Sequence, residues 1–257
     1  MKSNDALVRL QAGITVIDDF FDRVFAPLHT WVPALCETFE SELAQSGKMS
    51  GSRLAQLVEE DAKSLVTETD FLVYGAGFCA SDVLVDSGNP LAWWQGHDLR
   101  LLASSTFGPG QAEIDLSRLE WYRVPRSTLK PHIAGPFVDY LCSNEVTVTL
   151  TVPVIIDDQF AGVACADLLV TSLEKILEPQ LDLPPHSALL NAQGRIVLSS
   201  NFDGEPGDRH PVATYTDAEA LEHGLSVARS DRYPYMLATR VHEPAQIERL
   251  SSASITH

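Results

Sequence analysis

Two short stretches of this 257-residue chain combine residue types able to hold a charged small molecule. In "RLEWYRVP", residues 118–125, Trp121 and Tyr122 follow a carboxylate and precede a proline. Both rings are large and polar only at their tips, so each needs a core or a cavity wall to cover it. Read as an extended segment, the pair sends its rings to opposite faces, one toward a ligand and the other into a rim or core. In "FAGVACADLLV", residues 160–170, the alternation of a strand puts Val163, Cys165 and Asp167 on one face. A carboxylate among apolar neighbours needs a partner. That partner is either a basic side chain of this chain, with Arg118, Arg123 and Arg126 as candidates, or the cation of a ligand. An ammonium about 4 Å from a carboxylate gains roughly 4 kcal/mol at an effective dielectric of about 20, before desolvation is subtracted. An aromatic face adds about 0.5–2 kcal/mol. A second pair, Trp93-Trp94 in "LAWWQGHD", is assigned to core and interface.

Other chemistries find less support. "GAGFCA", residues 75–80, matches Gly-x-Gly-x-x-Ala after the apolar run "FLVY", as a dinucleotide site requires. The pattern must open onto a substantial helix whose amino terminus faces the phosphates, whereas "SDVLVDSGNP" alternates like a strand and soon reaches a Gly-Asn-Pro turn. Gly75 and Gly77 are therefore expected to serve close packing or a bulge. Gly-x-Ser-x-Gly, phosphate-loop and His-Glu-x-x-His motifs are missing. Cys36, Cys79, Cys142 and Cys165 lie far apart, which points to buried free thiols and to neither zinc nor disulfides. No metal, no cofactor and no catalytic residue is expected.

A net charge of −17 argues against nucleic-acid and anionic-membrane partners, both of which require basic surface. The amino-terminal stretch is interrupted by Asp5, Arg9, Asp18, Asp19, Asp22 and Arg23, so it reads as neither a signal peptide nor a membrane span, and the expectation is a cytoplasmic protein.

These residues must be held by elements whose periods are legible. Leu7, Leu10, Ile14, Ile17, Phe21, Val24 and Leu28 recur at steps of three and four, a helix seam fit for a sheet, for a twin helix in a homodimer, or for both. Pro27 and Pro33 are expected to break it. "FESELAQSG" reads as a short helix ending at Gly47, and "RLAQLVEEDAKSLVTE" as another with Ser52 as its cap. In "EVTVTLTVPVII" valines and leucine alternate with Thr147, Thr149 and Thr151, predicting a strand with one dry and one polar face. "DDQ" at 157–159 turns the chain into its hairpin partner. A helix "SLEKILEPQL" follows, then the boundary Pro184-Pro185, then two hairpins and a frayed "SSASITH". Three regions result: helices over 1–70, a sheet module over 71–183, and a smaller module over 184–257.

The order Trp121-Tyr122, "GPFVDYL", alternating strand and "GVACAD" resembles the double Cache family of ligand-sensing domains in bacterial chemoreceptors and sensor kinases. The resemblance covers about residues 5–200. It implies an α+β fold: long amino-terminal helices packed on an antiparallel PAS-like sheet, followed by a truncated second α/β module. It also implies a pocket lined by Trp121, Tyr122, Phe137, Asp139 and Asp167; apart from the resemblance, His132, Tyr140 and Glu145 are candidates to stand behind these residues. Phe137 replaces a family tyrosine. The arginine with which amino-acid sensors of the family hold a ligand carboxylate is Leu119 here, and Arg118 is one position off. Two carboxylates and an aromatic wall without that arginine favour an amine. The expectation is thus a non-enzymatic sensor of an amine-bearing metabolite, read out by an unidentified regulatory protein. An amino-acid sensor using Arg118, an enzyme acting on a small amine, and an interaction module with a filled core are the alternatives.

Overall fold

The structure, a computed structural model, describes residues 3–68, 73–102, 115–140 and 143–241; Cys142, the start of "FLVY" and the "SSASITH" tail lie outside them. Helix α1 (Ser3–Ser46) runs unbroken through Pro27 and Pro33. Each proline removes one backbone hydrogen bond. The apolar face nevertheless continues past both, through Leu28, Trp31, Leu35 and Phe39, all buried, and this burial holds the helix together where the sequence alone predicted a break. Gly47, at a left-handed φ of 73°, ends it, its amide donating to the Leu43 carbonyl. A two-residue strand β1 (Met49–Ser50) leads into α2 (Gly51–Thr67), capped by the Ser50 hydroxyl in place of the expected Ser52.

Strands β2 (Val73–Ala80), β3 (Val85–Ser87), β4 (Leu91–Gln95) and β5 (Arg100–Leu101) follow. After them come α3 (Glu120–Thr128), β6 (His132–Val138), β7 (Val146–Ile156), β8 (Gln159–Leu169) and α4 (Val170–Leu177). Six strands form an antiparallel sheet in the order β5-β4-β2-β8-β7-β6. β7 and β8 are joined through Asp157 and Asp158, both at positive φ, the twist a two-residue hairpin demands. Strands β9 (Ser187–Asn191) and β10 (Ile196–Ser200), helix α5 (Asp217–Glu222), and strands β11 (Leu225–Arg229) and β12 (Tyr235–Arg240) complete the chain. Their four strands form a second antiparallel sheet, β10-β9-β12-β11.

The long helix explains how the two sheets are joined. Its seam packs on β7 of the first sheet and on β11 and β12 of the second, and a single apolar cluster contains Ile17 and Phe21 of α1, Leu150 and Leu168 of the first sheet, and Leu189 and Leu237 of the second. The stripe is therefore buried within its own chain, and a twin helix would have to use another face. The opposite face of the first sheet is covered by α3, so both faces of β7 are buried, and the polar face that alternation predicted, with Thr147, Thr149 and Thr151, lies under α3 and out of water. Among the described residues no helix is long and apolar enough to cross a membrane.

Candidate functional site

On the α3 side of the first sheet, alternate residues of four strands converge on one pocket. β4 contributes Leu91 and Trp93, β7 Thr149, β8 Cys165 and Asp167, and β6 with its end Phe137 and Asp139; Trp121 of α3 closes it. Gly75 lies beneath the Trp93 indole, where an added Cβ would stand 2.8 Å from the ring, and a Cβ at Gly77 would meet the Ala92 carbonyl at 2.1 Å. Both glycines are the close-packing positions expected, and β2 runs straight through "GAGFCA" without opening onto a phosphate-binding helix.

The wall containing Phe137 and Asp139 depends on a bulge. β6 pairs Ala134 with Thr149 and Phe137 with Thr147, so three steps on β6 match two on β7. Without the extra residue, the alternation would turn Phe137 and Asp139 to the other face. Gly135 supplies the irregularity at a φ of 108°, with the Thr147 carbonyl 2.7 Å from where a Cβ would sit.

Asp167 is 4% exposed and accepts a 2.6 Å hydrogen bond from the Thr149 hydroxyl. Burial pushes its pKa from 3.8 up to about 8, Thr149 opposing and the neighbouring Asp139 adding to the rise. None of the arginines considered as partners does the pairing. Arg118 pairs with Asp115 at 3.0 Å and its side chain is 85% exposed, while Arg123 and Arg126 are also exposed. The alternative in which Arg118 enters the pocket is thereby corrected: its position, before α3 begins, carries it into solvent. Among the described residues the lining has no basic side chain. Cys79 and Cys165 are buried thiols whose pKa burial raises, so neither is poised as a thiolate nucleophile.

Trp121 and Tyr122 sit on a helix, not on the extended segment the sequence implied. Glu120 suits its first turn, and Tyr122 and Pro125, three apart, bury one face against the sheet, which decides for helix despite the proline. Successive residues are then about 100° apart, and both rings can lean on the sheet. Trp121 is half-buried and lines the pocket; Tyr122, 5% exposed, packs edge-on against Phe160 at 5.3 Å outside it. Tyr140 is 82% exposed and Glu145 is exposed, so neither backs the pocket through its side chain, although the Glu145 carbonyl accepts from the Asp139 amide at 3.0 Å. His132 instead pairs with Glu120 at 3.1 Å. Sequence reasoning missed Leu91, Trp93 and Thr149 as lining residues. Thr149 could have been found, because it lies on the polar face of β7 and the hairpin register sets it opposite Asp167.

The enclosed space is about 20 Å³, room for roughly one water. A metabolite larger than that requires part of the lining to give way. A larger open groove of about 470 Å³ runs between α1, the start of β6 and the β11–β12 turn, but its charges largely satisfy each other: Asp22 pairs with Arg232 and accepts from the Tyr233 hydroxyl.

No family model matches the sequence and no curated protein matches it. Solved structures do. The sensory domain of the Campylobacter jejuni chemoreceptor Tlp3 with isoleucine bound aligns with 92% of this chain and 91% of its own, at a TM-score of 0.61 and 10% identity. The ligand-binding domain of the same receptor in complex with L-valine gives the same coverage, TM-score and identity. The extracellular domain of the histidine-kinase candidate soHK1S-Z6 aligns over 92% of both chains, at a TM-score of 0.55 and 12% identity. At such identities the likeness is one of fold, and the fold is that of Cache-type sensory domains. The cytoplasmic location expected from the amino terminus is corrected by this comparison, since the fold is shared with extracellular sensory domains. Of the acidic residues that interrupt the first stretch, Asp5 is exposed while Asp18, Asp19 and Asp22 bond Ser230, Arg232 and Tyr233 in the β11–β12 turn of the second sheet, so they report how a helix packs and not a compartment.

Proposed function

We propose that this domain is a small-molecule sensor whose pocket takes a ligand through a protonated amine, held by Asp167 and Asp139 against Trp121, Trp93 and Phe137. The observation that carries this reading is the pairing of two buried carboxylates with an aromatic wall in a lining that has no basic side chain among the described residues. An ammonium there gains its counter-ion in a dry site and a ring face to rest on. A free amino acid would bring a carboxylate into the same negative field, with Leu119 where a cation would be required. The fold neighbours with isoleucine and L-valine bound support a sensing role and make amino acids the rival ligands.

Thermal unfolding in the presence of primary amines, from methylamine to phenethylamine, tests it. At about a hundredfold excess over its dissociation constant, a binding amine stabilises the fold by about 2.7 kcal/mol. Asp167→Asn abolishes the shift, and Trp121→Ala weakens it. Stabilisation by valine or isoleucine that survives Asp167→Asn would overturn the amine reading.

A further inference from the structure

A side chain of the second sheet reaches across to the bulge of the first. Asn191, at the end of β9, is 6% exposed. Its Oδ1 accepts from the amides of Gln193 and Arg195, at 3.0 and 2.9 Å, closing the β9–β10 turn. Its Nδ2 crosses to the first sheet and donates to the Gly135 carbonyl at 2.6 Å. Gly135 is the bulge residue on which the inward aim of Phe137 and Asp139 depends. Behind Asn191 the connection continues. Tyr235 of β12 is its cross-strand neighbour, and the Tyr235 ring stacks on Phe21 of α1 at 4.9 Å, with an interplanar angle of 12°.

We propose that Asn191 is the positioning residue of the pocket, a single side chain of the second sheet that fixes the Gly135 bulge and so ties the Phe137–Asp139 wall to the second sheet and the long helix. A buried amide with both ends bonded tolerates little displacement, because losing either bond leaves a polar group unsatisfied in the core. A ligand that pushes the wall outward must therefore move the β9–β10 turn or break this bond. The inference takes its functional meaning from the reading of the pocket as a ligand site, yet its test uses no ligand, so the two can fail separately.

Two variants separate the cross-sheet bond from the turn. Asn191→Asp keeps acceptors for both turn amides and loses the Nδ2 donor to Gly135; Asn191→Ser keeps one shorter acceptor, has a hydroxyl too short to reach the Gly135 carbonyl and adds no charge. Amide exchange by NMR in the ligand-free protein should show Asp139, whose amide bonds the Glu145 carbonyl, exchanging about tenfold faster in both variants, while the amides of β11 and β12 keep their protection. Tryptophan fluorescence followed against pH should show the transition near pH 8 displaced in both, because Asp139 no longer stands where it raises the Asp167 pKa. Unchanged exchange at Asp139 would overturn the proposal. So would a fluorescence midpoint displaced in Asn191→Asp alone, which would report only the new charge, or a uniform loss of protection across the molecule, which would make Asn191 a general stabiliser.

Discussion

Asp167 holds a carboxyl group out of water with one hydroxyl for company, and its proton is the price of that position. Its folded pKa of about 8 lies above its ordinary 3.8, so the folded state keeps a proton that the unfolded chain releases. The sign follows: the stability that Asp167 contributes is fully present below about pH 4, is lost as pH rises through the interval between the two values, and levels off above about 8. The whole span is worth on the order of 5 kcal/mol. Asp167→Asn removes that slope and should be several kcal/mol more stable than the wild type at pH 9, which chemical denaturation across the pH range can measure. A wild-type curve that is flat from pH 5 to 9 would mean that the carboxyl is paired after all. Cation binding follows the same proton. Amine affinity should rise as much as tenfold per unit up to about pH 8 and level off above it, since only the ionised carboxylate serves as counter-ion. Asp167 and its strand face were legible because alternation along "FAGVACADLLV" is strict. Trp93 was not, because a ring beneath which a glycine lies and a ring in the core look the same in "LAWW"; only the pairing of β4 with β2 shows that Trp93 faces the pocket and Trp94 the helices.

Elements were readable from the sequence wherever period alone decides them. The β7–β8 hairpin, the heptad seam and the two late hairpins all appear where their patterns placed them. Where propensity and tertiary burial disagreed, burial won: α1 passes two prolines, and "EWYRVPRST" is a helix although the Trp-Tyr stretch before its proline reads as extended. The bulge in β6 left no reliable mark beyond a Gly-Pro pair, and it decides which way two candidate site residues point. The seam of α1 can be tested at this scale. Ile17 is fully buried against both sheets, whereas Val8 is 57% exposed on the same helix. Ile17→Asp buries a charge without a partner and should abolish cooperative unfolding, while Val8→Asp should change stability by about 0.5 kcal/mol or less. Circular dichroism melts distinguish the two. A folded, monomeric Ile17→Asp protein would return the seam to the role of an intermolecular contact.

At the scale of the molecule, two sheets with separate hydrogen-bond networks share one apolar cluster, and α1 is the shared wall. The helix is fastened to the second sheet by polar contacts as well: the Ser230 hydroxyl donates to Asp18 and the Tyr233 hydroxyl to Asp22, each at 2.6 Å, and Arg232 pairs with Asp19. Opening either sheet alone would leave the α1 seam facing water, so the chain should unfold as a unit although its sequence divides at Pro184-Pro185. Phe21 is the place to probe this, being fully buried, stacked on Tyr235 and part of the cluster that reaches Leu150 and Leu168. Phe21→Ala removes a ring from that junction and should cost about 3–5 kcal/mol. Calorimetry should still show a single transition at lower temperature, and amide protection in β7 and β8 should fall in step with that in β9 and β12. Two separated transitions, with β7 and β8 unaffected, would mean that α1 joins two halves that fold independently, and a displacement at the pocket would then have no rigid path to the second sheet.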